Sequence, residues 1–192
     1  MIPATTQIRA LHREVAPDDA AFELVWTHGE IVWAIAEQLI HARRLPVDAD
    51  LVRAGCLLHD VGVHLLGGAA YIRHGVLGEA LLLDRGFAAP LARFCAHHTG
   101  VGLTRDDVER QHLPLPLGDY LAETPEERLV MYADKFHSKT TPPVFLTSVA
   151  YAARAARFGP GHAARFAEMV TEYGEPDLTD LTDRYRHALV AR

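Results

Sequence analysis

An all-α fold is what this sequence predicts, on three observations. Apolar residues recur at helical spacing along almost the whole chain. Proline, glycine and aspartate fall where helices start and stop. No strand-rich stretch, internal repeat or low-complexity segment interrupts the pattern.

The first short helix is expected over 5–15, stopped by Pro17. Asp18 or Asp19 caps a long segment in which Phe22, Val25, Ile31, Val32, Ile35 and Leu39 share a face. Thr27 is read as able to restart or kink it, which would put His28 in a first turn. Asp48 and Asp50 open a helix through Leu51, Ala54, Leu57 and Leu58 that ends at Gly62. Helices over about 73–85 and 90–98 follow, broken by Gly86 and Gly100. The stretch 100–124, with Pro114, Pro116 and Gly118, reads as a long loop of the kind that is often functional. Thr124-Pro125-Glu126-Glu127 starts the next helix, with proline at its first position and acids in its first turn. Further helices are expected at 145–158, 161–173 and 178–191. The chain is read as one domain, 1–192, with a core over about 17–140 and a C-terminal helical extension over about 141–192.

The 192 residues carry a formal net charge of −6 and no clustered basic run, so a nucleic-acid duplex is not an expected partner. A small anionic substrate is compatible with that charge, because a bound cation can invert the local field. Two cysteines, Cys56 and Cys95, give neither a disulfide framework nor a zinc knuckle. Each lies three residues before a histidine of interest and is read as packing. The N-terminus lacks the apolar core of a signal peptide and no apolar run would span a bilayer. No membrane association and a cytoplasmic location are the resulting expectations. Trp26 and Trp33 fit either core or interface, which leaves homo-oligomerisation open.

Twelve histidines are present. His12, His41, His112, His162 and His187 sit among polar or small residues and are read as surface positions. The others fall at helix ends or junctions, together with Asp60 and Asp134. Imidazole and carboxylate suit zinc, iron, manganese and related ions. A lone histidine says little, but His59-Asp60 follows the apolar run Ala54-Gly55-Cys56-Leu57-Leu58. Ending a buried helix in two ionisable groups is costly unless they are paired or bound to a metal.

His28, then Leu57-Leu58-His59-Asp60-Val61-Gly62, then Tyr132-Ala133-Asp134-Lys135, resembles the HD-domain metal-dependent phosphohydrolases, whose signature is H…HD…D. Arg73-His74-Gly75 with Gly78-Glu79-Ala80, and His97-His98-Thr99-Gly100, resemble the extra-histidine branches of that superfamily. The resemblance spans about residues 27–137. It implies an HD-type helical bundle with additional C-terminal helices. It implies one metal held by His28, His59, Asp60 and Asp134, with Asp60 bridging to a second ion held by His74 and one or both of His97 and His98. His98 is favoured, since His-Thr-Gly here is similar to the matching stretch of HD enzymes that cleave diadenosine polyphosphates symmetrically. The implied cofactors are two divalent ions per chain, iron or manganese first, with magnesium, zinc, cobalt or nickel also compatible. Two ions ~3.5–4 Å apart can generate hydroxide at neutral pH and neutralise phosphoryl charge.

Two departures from the family pattern stand out. Val63 occupies the place, three residues after the aspartate, where a phosphate-binding lysine is frequent. His64, Arg73, Lys135 or Lys139 is then the candidate cation. Nothing like Gly-Tyr-Pro follows His98, which disfavours the cyclic-dinucleotide phosphodiesterases that carry that motif. Asp60, Lys135 and His64 are the expected catalytic residues. His137 and Lys139 could also face the site, although Lys139 could equally offset a helix dipole. The implied activity is hydrolysis of a phosphate ester or anhydride in a small metabolite. A mixed-valent di-iron oxygenase with the same ligands and a non-catalytic metal-binding regulator are the competing readings. The absence of GxxxxGK[ST], HExxH and GxSxG removes support for P-loop, zincin and α/β-hydrolase readings.

Overall fold

The computed structural model describes residues 1–192. Ten α-helices follow in order: α1 (Thr5–Val15), α2 (Asp19–Arg43), α3 (Ala49–Leu58), α4 (His74–Asp84), α5 (Ala89–Ala96), α6 (Arg105–Arg110), α7 (Pro125–Asp134), α8 (Ser148–Ala156), α9 (Pro160–Tyr173) and α10 (Thr179–Tyr185). Two 3₁₀ turns, Val61–Leu65 and Tyr71–Arg73, bridge α3 to α4. The sequence signals act as expected at the caps. Asp18 accepts from the Ala21 amide, Asp48 from the Asp50 and Leu51 amides, and Thr124 from the Glu127 amide.

Helix α2 is continuous through Thr27, contrary to the expected restart. His28 therefore lies in its interior, on the stripe that buries Val25, Ile31, Val32, Ile35 and Leu39. Thr27 loses to the apolar face around it, because burial of several aliphatic side chains at ~1.5–3 kcal/mol each outweighs one weak helix former. The expected loop over 100–124 contains α6, capped by Thr104, and closes on itself through a Leu103–Tyr120 bridge. Of the last three helices, α9 fills its expected range, whereas α8 and α10 are shorter than the spacing suggested. The start of the one and the end of the other give way to β2 (Val144–Leu146) and β3 (Ala188–Val190), which form a small sheet with β1 (His137–Ser138). Strand β2 lies centrally, antiparallel to β1 and parallel to β3.

Two large apolar clusters form most of the interior, and a small third one joins Ala96, Leu103, Val108 and Tyr120. One runs from Ile31, Ile35 and Leu39 of α2 through Leu129 and Tyr132 of α7 to Phe145, Phe166, Met169 and Leu181. The other joins Ile8 and Leu11 of α1, Phe22 and Trp26 of α2, Leu57 and Leu58 of α3, Leu82 of α4 and Leu91 of α5. Helices α2 and α3 supply residues to both, and His28 and His59 sit where the two clusters meet. No helix is long and apolar enough to cross a membrane.

Candidate metal centre

Four elements deliver the central side chains. His28 comes from the buried stripe of α2, His59 caps the C-terminus of α3, Asp60 follows it, and Asp134 ends α7. His28 and His59 are fully buried and Asp60 is 2% exposed. Their ligand atoms converge. His28 Nε2 lies 3.1 Å from Asp60 Oδ2 and 2.9 Å from Asp134 Oδ1, and His59 Nε2 lies 3.1 Å from the same Asp60 oxygen. A second group uses the other oxygen of Asp60. His74 Nε2 and His98 Nε2 stand 3.5 and 3.6 Å from Oδ1, and 3.0 Å from each other.

Close packing of glycines makes the second group reachable. A Cβ on Gly62 would overlap the backbone of His74 and Gly78, and one on Gly75 would lie 2.7 Å from the Cys95 carbonyl oxygen. The turn after Asp60 and the starts of α4 and the end of α5 can therefore touch at the backbone. Both cysteines are buried, as packing predicts, and the Cys95 thiol donates to the Leu58 carbonyl at 3.3 Å.

The protonation pattern tests whether these residues fit a metal. His59 Nδ1 donates to the Cys56 carbonyl at 2.7 Å, His74 Nδ1 to that of Tyr71 at 2.7 Å, and His98 Nδ1 to that of Phe94 at 3.0 Å. A carbonyl only accepts, so each neutral ring has its proton on Nδ1 and a bare lone pair on Nε2. The bare Nε2 atoms of His74 and His98 then face each other at 3.0 Å, which is repulsive unless a cation lies between them. Asp60 Oδ1, buried, has no hydrogen-bond partner. Two lone pairs and one carboxylate oxygen converging on the same point fit a divalent ion.

The two groups differ in charge. Burial opposes a proton on His59, but Asp60 and Asp134 outweigh it and hold its pKa up at about 9. Burial dominates for His98, which is pushed down to about 4, and His74 is lowered for the same reason. Burial also opposes ionisation of Asp60 and Asp134. Lys139 and His59 on the one, and Lys135 and His28 on the other, hold both carboxyls well below the usual range.

The remaining candidates separate clearly. Lys135 is buried, donates to Asp134 Oδ2 at 2.6 Å and to the His98 carbonyl at 2.9 Å, and lines a cleft of about 330 Å³ above the ligands. Lys139 pairs with Asp60 Oδ2 in the same cleft, so it faces the candidate site and not a helix end. Tyr71, Ile72, Thr99 and Gly100 complete the walls. Tyr71 was not singled out by sequence; it is 54% exposed at the rim of the cleft, and nothing in its local spacing marks it. Its pKa is pushed up to about 12 by burial and by Asp60.

His64, expected among the catalytic residues, is turned away from the cleft. It lies 3.1 Å from His12 Nδ1, and His12 in turn donates to the Leu57 carbonyl on the α1 side of α3. His97 joins neither group; its Nδ1 is 3.6 Å from Glu127 Oε2, whereas His98 stands with Asp60 and His74. Arg73 is exposed and does not line the cleft. Two of the supposed surface histidines, His12 and His162, are buried, and His187 is half-buried. The stripes Ile8-Leu11-His12-Val15 and His162-Phe166-Met169-Tyr173 held that signal, since each histidine falls on the apolar face.

Comparison with known proteins matches the description "HD domain" to residues 25–139. Over 124 residues the chain is 35% identical to a tRNA (cytidine(56)-2'-O)-methyltransferase of Picrophilus torridus, covering 65% of this chain and 34% of that protein. Over 88 residues it is 44% identical to an uncharacterised protein of Methanocaldococcus jannaschii, covering 46% and 49%. The chain thus spans between a third and a half of these relatives' lengths. Among solved structures, the HD domain of the phosphodiesterase PgpH of L. monocytogenes superposes with a TM-score of 0.52 at 14% identity, over 93% of this chain and 98% of that one. The same domain in complex with cyclic-di-AMP gives 0.51 at 13% identity, over 94% and 98%. At that identity the likeness concerns the fold.

Proposed function

From the premise that this chain belongs to the HD-domain family, we propose that it is a metal-dependent phosphohydrolase. Its substrate is a phosphate ester or anhydride in a nucleotide or another small phosphorylated metabolite. The observation that carries the reading is the division of one buried carboxylate, Asp60, between two ligand groups beneath a cleft holding two lysines. His28, His59, Asp60 and Asp134 would hold one divalent ion and Asp60, His74 and His98 a second. The imidazole-rich donor set suits iron or manganese, with zinc, cobalt and nickel compatible. Bound there, such ions supply Lewis acidity to a phosphoryl oxygen and acidify a water.

The protein's own residues supply the rest. Asp60 is the geometric centre, and its two oxygens set the spacing of the groups. Lys139, reaching Asp60 from just beyond β1, supplies the positive charge that Val63 cannot. Lys135 is fixed by the His98 carbonyl and Asp134, which places a second ammonium on the same wall. Together they favour an anionic group in the cleft and give electrostatic stabilisation that is already oriented before substrate arrives. Ile72 and Tyr71 offer a less polar wall for the part of the substrate away from the phosphate.

The RNA-methylating activity named for the Picrophilus relative is not carried over, because only a third of that protein is matched. The test is to measure metal content after purification without chelator. The manganese- and iron(II)-loaded protein is then run against a panel of phosphomonoesters, nucleotides and dinucleoside polyphosphates, with an oxygen electrode in parallel. Metal-dependent phosphate release is expected. Two bound ions with no release on any substrate, together with substrate-dependent oxygen uptake, would replace the hydrolase with the di-iron oxygenase.

A further inference from the structure

Three of the four histidine ligands lock their ring against a backbone carbonyl, but His28 does not. Its Nδ1 lies 2.8 Å from Nδ1 of His137, a residue 4% exposed at the start of β1. His137 Nε2 lies in turn 2.9 Å from Nδ1 of His187, between α10 and β3. The three rings stack in a column, with centroids 5.1 Å apart at each step and interplanar angles of 28° and 22°. Phe145 of β2 packs against the rings of His137 and His187, at 4.9 and 5.9 Å. The register of the small sheet sets this column, since Phe145 is paired with His137 on one side and with Leu189 on the other.

A carbonyl fixes the tautomer of its donor by itself. An imidazole does so only if its own second nitrogen is committed, because either nitrogen can donate or accept. His28 must keep Nε2 bare to bind a metal, so its Nδ1 must donate and His137 Nδ1 must accept. That holds only while His137 Nε2 donates to His187. We propose that His137 and His187 are positioning residues for the first metal: a column of three imidazoles that aims His28 Nε2 and makes the C-terminal strand part of the site. The proposal rests on His28 being a metal ligand, as argued above.

Cobalt(II) titration, with circular dichroism melting to confirm folding, tests both claims separately. His28→Ala should lose one of two ions. His137→Phe should bind the first ion roughly 10–100-fold more weakly. His137→Gln, whose amide oxygen can accept from His28, should recover most of that loss at a similar melting temperature. His187→Phe should show a smaller weakening. In the zinc-loaded protein, ¹⁵N NMR should find His187 protonated at Nε2, with Nδ1 accepting. Wild-type affinity in His137→Phe while His28→Ala loses an ion would overturn the column and leave the ligand assignment standing. So would a glutamine variant no better than phenylalanine, or a His187 protonated at Nδ1. Retention of both ions by His28→Ala would overturn the ligand assignment and the column with it.

Discussion

The two halves of the candidate metal centre share Asp60 and little else. His28, His59 and Asp134 come from α2, α3 and α7, which carry the larger part of the apolar interior, and they bring a second carboxylate. His74 and His98 come from α4 and α5, brought close by glycines, and bring none. One half can balance its own charge with a proton on His59, whose pKa sits at about 9. The other holds two neutral rings with opposed lone pairs and nothing to share between them. A half that is satisfied without metal can hold its shape alone, whereas a half that is not depends on the cation for its geometry.

Removing the shared residue should erase the contrast altogether. Asp60→Asn is expected to lose both ions and to lower kcat by roughly a thousandfold or more, as read by metal analysis and phosphate release. Single-ligand variants should then separate the halves. His98→Ala should keep one ion and His28→Ala should keep the other, each with a loss of about a hundredfold or more in kcat/KM. If His98→Ala emptied both positions, the halves would not be independent.

Packing offers a subtler handle on the second half. Gly62→Ala forces apart the turn and α4, so it should weaken only the His74–His98 ion and lower stability by about 1–3 kcal/mol in urea melts. Proton counting sharpens the comparison further. At pH 7.5, loading the first ion should release about one proton per chain, from His59, and loading the second close to none. Calorimetry in buffers of different ionisation enthalpy reads that difference directly.

A last effect concerns the metal-free protein. His59 is raised in the folded state, so its stabilising contribution is complete below its unfolded pKa of about 6.5 and fades as pH rises through about 9. Melts at pH 6 and pH 9.5 should differ by at most roughly 3 kcal/mol from this source. His59→Gln should flatten the difference.

In the first half, His59-Asp60 was legible because the pair ends an apolar run and is costly without a partner. His28 and Asp134 were reached through resemblance, and the interior position of His28 on a buried stripe emerged only with the fold. His74 and His98 were legible through neighbouring glycines and through resemblance. Lys139 and Tyr71 were harder to place, since nothing in local spacing tells which way a side chain after a helix end will turn. The column through His137 and His187 was hidden for a related reason. It depends on strands only two or three residues long, whose pairing joins positions 137, 145 and 189 across the chain. His12 and His162 were misjudged because imidazole is at home on a surface and in a core alike, and only helical phase distinguishes the two.

That dependence on phase has a consequence for how the chain can change its length. His59, His74 and His98 are each held by a carbonyl three or four residues earlier in their own turn. Inserting one residue in α3 or α5 would rotate the following ring by about 100° and remove it from both its carbonyl and its target. Between Gln111 and Asp119 no such phase is kept, and an inserted or deleted residue there moves no ligand. Variation in length should therefore gather in that loop, while the helices that aim the imidazoles tolerate substitution at their exposed positions but not a change in count.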